Sequence, residues 1–229
     1  MYSWHKIFEF FTGDRALMFL LTSITVLIFF IYPLSGNDIF SSLIANLFII
    51  IMLLSGIMSI DIKQVNKKRI IYMILVILIL GKTGEIFETV YIAAIHITAR
   101  ILFLCILVVL VFKKVFRNKP ITFFYRIAGS VTIYLLISFI WANLYFIFYQ
   151  LNNDSFHFNP PIRTQDNQMS NFIYFSLETI TTLGLGDILP IHPFLKSLVT
   201  MEAVIGPLYL AVTIGRLVSK QGSVFSKGS

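Results

Sequence analysis

Seven consecutive residues constrain this chain more than any others: Thr181, Thr182, Leu183, Gly184, Leu185, Gly186 and Asp187. They lie between two apolar segments that are each long enough to cross a bilayer. Two glycines one residue apart break regular structure, and an irregular backbone leaves N–H and C=O groups unpaired. Lipid cannot pair them, so such a segment is tolerated only inside protein or along a water-filled path. The glycines permit backbone angles that a Cβ resists, and an extended run here can turn its carbonyls inward. A dehydrated cation can then supply the missing partners.

Composition independently requires a membrane. The chain is 57% hydrophobic and only 13% charged, with a mean hydropathy of +0.85. A soluble domain of 229 residues has no means of hiding that much apolar surface. Six spans are expected, at 16–34, 39–60, 70–87, 89–112, 127–149 and 193–219. The third is the weakest, because Lys82, Glu85 and Glu88 interrupt its apolar run. No small-residue cleavage site follows the first span, so it is not read as a cleaved leader. The expected fold is therefore an all-α membrane protein. Residues 1–112 form a four-helix domain, 113–126 a basic linker, 127–220 a second membrane domain and 221–229 a short tail.

The net charge of +7 is no sign of nucleic acid, because of where the basic residues fall. All of the 18 lysines and arginines except Lys82, Arg100, Arg163 and Lys196 lie on one side once the amino terminus is placed in the cytoplasm. The positive-inside rule then puts both termini there, in a plasma membrane or a bacterial inner membrane. It also points the Asp187 end of the glycine strand outward. Before that strand, residues 171–181 read as a short helix entering from outside, with Ser170 or Asn171 as amino-terminal cap. Its carboxyl end brings a partial negative charge to mid-membrane.

Glu178 to Asp187 resembles the pore signature of the tetrameric potassium channels, whose commonest form reads ETATTVGYGD. The two differ only at Ile180, Leu183 and Leu185. A looser likeness extends over roughly 125–220 as outer helix, pore loop and inner helix. The resemblance implies a homotetramer, since one chain supplies one strand and an ion needs oxygens on all sides. The carbonyls of Thr182, Leu183, Gly184 and Leu185, with the Thr182 hydroxyl, would ring K+, and Gly186 completes the filter. No cofactor is implied beyond the permeant ion. Glu178 and Asp187 match a carboxylate pair that braces the filter from behind; the simpler alternative leaves Asp187 solvated at the pore mouth. Thr181, Tyr174 and Phe175 join the support, the last two as an apolar cuff. At Leu185 many relatives carry an aromatic that can donate a hydrogen bond and leucine cannot, although some two-pore-domain relatives also read Gly-Leu-Gly. A softer, poorly selective cation filter is the rival that this departure raises.

By the same resemblance Gly206 stands where the family has its gating hinge, and Pro207 removes a helix hydrogen bond beside it. A static kink is the alternative. Leu210, Ile214 and Val218 follow at spacing four, either as an apolar constriction of the inner pore or packed on the 127–149 helix. The four spans before the pore have the layout of a voltage sensor, but only Arg100 lies within the fourth. Each charge moved through 100 mV is worth about 2.3 kcal/mol, so four copies reach at most about 9. A static buried pair with Glu88, Glu85 or Asp61 is expected instead.

Other features carry less. The basic linker, with its interleaved phenylalanines, can rest on anionic lipids, though ordinary topology explains the same charges. The residues after Val218 are too few for a ligand-binding domain. Cys105 reads as a small buried hydrophobe. His5, His96, His157 and His192 have no metal spacing, and the sequon at Asn153 reads as chance. Gly81 to Gly84 lacks the strand and first glycine of a phosphate loop. No nucleophile–base arrangement supports an enzyme. The reading is a potassium-selective channel subunit; a non-conducting membrane scaffold is the alternative from another class. A transporter with filter-like loops would carry several of them per chain.

Overall fold

The computed structural model describes residues 15–34, 44, 47–52, 55, 90–116, 122–159 and 168–225. Among them four helices are long and apolar enough to cross a membrane: Arg15–Leu34, Ala94–Phe116, Phe123–Leu151 and Pro193–Ser219. These correspond to the first, fourth, fifth and sixth expected spans. Of the second, residues 47–52 and Ser55 are helical. The third, at 70–87, lies outside the described residues.

Helix α1, Arg15–Val26, continues through a π-helical stretch, Leu27–Ile31, into a last turn at Tyr32–Leu34. The wide turn has a local cause. Pro33 lacks an N–H and its ring crowds the carbonyl four residues back, and the Tyr32 N–H reaches Leu27 instead. Helix α2, Val90–Phe116, buries Ile97, Leu104, Leu107, Val111 and Val115 on one stripe. Its opposite stripe is also apolar, with Ile95, Leu102, Ile106 and Val109 exposed. A helix apolar on every side belongs in lipid or a large core.

Helix α3, Phe123–Leu151, is the hub against which α1 and α2 pack. Lipid is as apolar as leucine, so helices associate there through close packing and interhelical hydrogen bonds. Gly129 shows the first: a Cβ would lie 2.4 Å from a Val115 methyl and 3.5 Å from Leu17. Arg126 shows the second, its guanidinium donating to the Val115 carbonyl at 2.6 Å near the carboxyl end of α2. A cation at that end also complements the helix dipole. The expected 113–126 linker is therefore shorter. Lys113 to Phe116 finish α2 and Phe123 to Arg126 begin α3, and Arg126 is buried in this contact instead of facing lipid headgroups.

After α3, Asn152 accepts the Asp154 N–H and starts a 3-10 turn, Asn153–Ser155. Strand β1, Phe156–Phe158, then pairs antiparallel with β2, Ile188–Pro190, in the register Phe156↔Pro190 and Phe158↔Ile188. This small ribbon departs from the all-α expectation. Three-residue strands carry too little alternation to be read in sequence. Between the strands lie α4, Gln168–Ile180, and the glycine segment; α5, Pro193–Phe225, follows β2. Rings of Tyr145, Phe156, Phe172 and Phe175 meet edge to face in a connected chain, with centroids 5.1 to 5.9 Å apart in the pairs Tyr145–Phe156, Tyr145–Phe175, Phe156–Phe172 and Phe156–Phe175. They fix α4 against α3 and β1. Because Met169 is buried in the same core, α4 begins earlier than expected, and Ser170 and Asn171 lie within the helix instead of capping it.

Candidate functional site

Helix α4 ends with each of its last four carbonyls engaged. The Leu177 oxygen accepts the Thr181 N–H and hydroxyl. Glu178 accepts Leu183 N–H at 2.8 Å, Thr179 accepts Thr182 N–H at 2.9 Å, and Ile180 accepts the Tyr134 hydroxyl at 2.9 Å. Helix ends leave such groups unpaired unless something caps them. Here the cap is the incoming segment itself, with one tyrosine from α3.

The backbone then reverses hand at every second residue: φ is +59° at Thr182, +59° at Gly184 and +80° at Gly186. An ordinary strand alternates its carbonyls from side to side. Left-handed residues interposed one by one cancel that alternation, a backbone pattern that allows successive oxygens to face one side as the carbonyl counterpart of a backbone nest. The two glycines adopt these angles freely. Thr182 is β-branched, and a positive φ there is an outlier of the kind that clusters at functional sites. Residues 181–186 are all exposed in the single chain. Among the described residues no donor reaches the carbonyls of Thr182, Leu183, Gly184 or Leu185. The Thr182 hydroxyl donates to the Thr181 carbonyl at 2.6 Å, which leaves its lone pairs available. Four free carbonyls and one hydroxyl make a set of hard oxygen donors suited to a weakly charged metal cation.

The backing of this segment is polar where an apolar cuff was expected. Phe175 is buried in the ring cluster, but Tyr174 turns its hydroxyl to the Asp187 and Glu178 carboxylates. The Leu185 N–H faces Glu178. Glu178 is buried, and one oxygen of each acid, Glu178 Oε2 and Asp187 Oδ1, has no partner among the described residues. The Asp187 carbonyl accepts the Asn159 N–H at 2.8 Å, and Ile191 N–H donates to Ser155 at 2.9 Å. The ribbon thus pins the exit of the segment to the end of α3.

Helix α5 runs unbroken through Gly206 and Pro207. Gly206 is buried, and a Cβ there would sit 1.9 Å from the Ile180 carbonyl oxygen. The glycine is needed for close approach to the end of α4, so an alanine there would test this contact and would not separate a hinge from a static kink. Leu210, Ile214 and Val218 are exposed at 43%, 59% and 63%, which removes the alternative that they pack on α3. That face belongs to Tyr209, whose hydroxyl donates to the Ser130 carbonyl at 2.7 Å, and to the buried Thr213.

Two charged residues complete the picture. Arg100 is buried and faces the Tyr32 hydroxyl, with its Nε unpartnered among the described residues. The expected partners Glu88, Glu85 and Asp61 lie outside those residues. Glu202 was missed. It is fully buried in α5, its Oε2 2.6 Å from the Tyr145 hydroxyl and its Oε1 2.6 Å from Ser176 Oγ. A lone acid inside an apolar span is itself a signal of function, and it stood in the sequence. Cys105, expected buried, is exposed on the outer stripe of α2.

A family model described as ion channel matches residues 104–220, just over half of the chain. No curated protein and no solved structure matches it.

Proposed function

The chain belongs to the ion channel family of the potassium-channel type, integral membrane proteins that are not enzymes, and from this premise we propose that it forms a homotetrameric, potassium-selective pore. The observation that carries the reading is the segment Thr182 to Gly186, with its every-second-residue left-handed backbone and four carbonyls lacking donors. Four copies arranged about an axis would close these oxygens into stacked rings. An ion entering from the inner cavity would exchange its water for the Thr182 hydroxyl and carbonyl, then pass through the rings of Leu183, Gly184 and Leu185. Neutral carbonyls bind firmly enough to replace hydration and loosely enough to release, with adjacent ions repelling one another along the path. The carboxyl end of α4 adds partial negative charge where the water is lost.

The exposed side chains support assembly. Leu183 and Leu185 are 64% and 59% exposed in the single chain, and neighbouring copies would cover them. Leu210, Ile214 and Val218 project from α5 into the space that four inner helices would enclose, as an apolar constriction at the cytoplasmic mouth. Glu178, Asp187 and Tyr174 would brace the filter through the Leu185 N–H, and Thr181 would tie its base to α4. Orientation rests on the basic residues, with both termini cytoplasmic, and Lys113 and Lys114 at the inner leaflet among anionic lipids.

Leu185 favours one second reading. Its side chain brings no hydrogen bond of its own to hold the ring at the width of K+, and a wider ring would admit Na+. Planar-bilayer recording of purified protein in asymmetric potassium and sodium decides. The proposal expects a reversal potential near that of potassium and a conductance without sigmoid voltage activation, since Arg100 is a static buried charge. A reversal potential near zero would establish the poorly selective channel, and silence in bilayers and liposomes the scaffold.

A further inference from the structure

The network around Glu202 joins three helices, and its hydrogens can be counted. Ser176 Oγ of α4 lies 2.7 Å from the Ser138 carbonyl of α3, 3.0 Å from Ser138 Oγ and 2.6 Å from Glu202 Oε1. Tyr145 of α3 reaches Glu202 Oε2 at 2.6 Å. All four residues are buried, and Ser138, Tyr145, Ser176 and Glu202 each have no measurable exposure. These are four hydrogen bonds, and each needs one hydrogen. Tyr145, Ser138 and Ser176 have one hydroxyl hydrogen each, three in all. A peptide carbonyl only accepts, so the Ser176 hydrogen goes to Ser138. At 2.7 and 2.6 Å both contacts have the length of a full hydroxyl hydrogen bond, and a hydrogen directed at the Ser138 carbonyl leaves the bond between Ser176 and Glu202 in need of another. Only the Glu202 carboxyl can supply it.

We infer that Glu202 is a neutral carboxylic acid that donates from Oε1 to Ser176 and accepts at Oε2 from Tyr145, and that in this form it is a positioning residue for α4. The surroundings agree with a neutral acid. The titratable groups facing it are Tyr145 and Tyr134, both phenols of α3. From α4 it meets the hydroxyl of Ser176, while Tyr174 and Glu178 of that helix turn to Asp187 and Leu185. Strand β2 carries no titratable side chain. An ionised carboxylate would sit in this enclosure without a counter-charge from any of these elements.

The consequence is mechanical. Ser176 is one turn before Ile180, whose carbonyl meets Gly206 four residues beyond Glu202 on the same helix. The acid and the glycine together seat α4 on α5 at the level where the filter begins. Removing the proton would leave Ser176 and the carboxylate as two acceptors face to face, and the seat would loosen. This consequence for permeation rests on the channel reading; the protonation state does not.

Infrared spectroscopy of the purified full-length protein in liposomes tests the acid directly. The carbonyl stretch of a protonated carboxyl is expected in the wild type, absent in Glu202→Gln and displaced by Tyr145→Phe. Potassium flux from the same liposomes is expected to fall about tenfold from neutral pH to about pH 10, a range in which buried carboxyls are known to ionise. Glu202→Gln keeps a donor and an acceptor in place, so its flux at neutral pH matches the wild type and stays flat. The idea is overturned if Glu202→Gln leaves the band unchanged, fails to assemble, or follows the wild-type pH profile. Liposomes silent at every pH would count against the channel and leave the infrared result to stand alone.

Discussion

Helices α3 and α5 are both apolar spans of ordinary length, yet the chain treats them in opposite ways. In α3, 56% of the most apolar window is buried within the single chain; in α5 the share is 17%. Helices α1, α2 and α4 all pack against α3, and its small and polar residues, Gly129, Ser130, Ser138 and Asn143, lie inside these contacts. In contrast, α5 gives a narrower stripe to the protein, Leu195, Glu202, Gly206, Tyr209 and Thr213 with Leu198, Val199 and Ile205 half-buried beside it, and leaves much of its remaining surface exposed. The segment 181–186 is exposed as well. In the proposed tetramer both uncovered surfaces, the apolar face of α5 and the carbonyls lacking donors, would meet neighbouring copies. The difference teaches that α3 is the scaffold of the single chain, while α5 keeps surface that the proposed assembly would share.

The sharpest way to break that contrast is to alter the uncovered strand, where contacts within the subunit are not at stake. A Cβ at Gly184 or Gly186 would meet nothing within 4 Å, but their φ values are +59° and +80°. An L side chain resists such angles by about 1–2 kcal/mol, a cost repeated in every copy. Gly186→Ala is therefore expected to lower potassium flux by about a hundredfold or more, a barrier change of about 3 kcal/mol, while circular dichroism still reports a folded helical protein. Undiminished flux in that variant would show that the strand is not the conducting path.

The next largest effect compares the two faces of α5. At Gly206 an alanine would collide with the Ile180 carbonyl, whereas Gly215 has no neighbour within 4 Å. Overpacking of this kind costs typically about 1–3 kcal/mol. Gly206→Ala is expected to reduce thermal stability and flux together, while Gly215→Ala is neutral or raises stability by about 0.5–1 kcal/mol, as alanine does in a helix interior. Equal behaviour of the two in a thermal-shift assay would mean that α5 has no covered face at this level. Gly215 also stands free of the contact that confounds Gly206, so the helix has a second place at which bending costs little.

What could be read in the residues alone, and what could not, follows the same division. The first, fourth, fifth and sixth spans were legible because lipid demands an unbroken apolar run, and the start of α4 moved for a local reason, the burial of Met169. The glycine segment was legible because its composition is intolerable in any other setting. What escaped was whatever depends on two distant residues meeting. Gly206 meets Ile180 across 26 positions, and spacing cannot say whether a glycine bends or fits. Tyr174 was read as apolar because its polar partner, Asp187, returns to it only after the strand has folded back. Glu202 was visible as an acid in an apolar span, but its partners come from two other helices.

The smallest expected effect lies at the seam between scaffold and strand. Leu185 brings no hydroxyl, and Tyr174, from the helix behind, brings one to Asp187 and Glu178. In the proposed channel the donor sits in the backing of the strand, and Glu178, which faces the Leu185 N–H, would pass the restraint on. Tyr174→Phe keeps the ring and removes the donor. Hydrogen bonds to charged groups are worth about 1.5–3 kcal/mol, and the carboxylates retain other contacts, so the loss is expected near the lower end. In the proposed channel this brace would act on how long the strand holds its shape and would leave the carbonyls untouched, so open-state lifetime is expected to change about tenfold while the reversal potential in potassium and sodium stays put. Single-channel records distinguish this from the alternative in which Asp187 is merely solvated at the mouth. In that case the phenol does nothing for the strand, and Tyr174→Phe leaves both lifetime and reversal potential as they were.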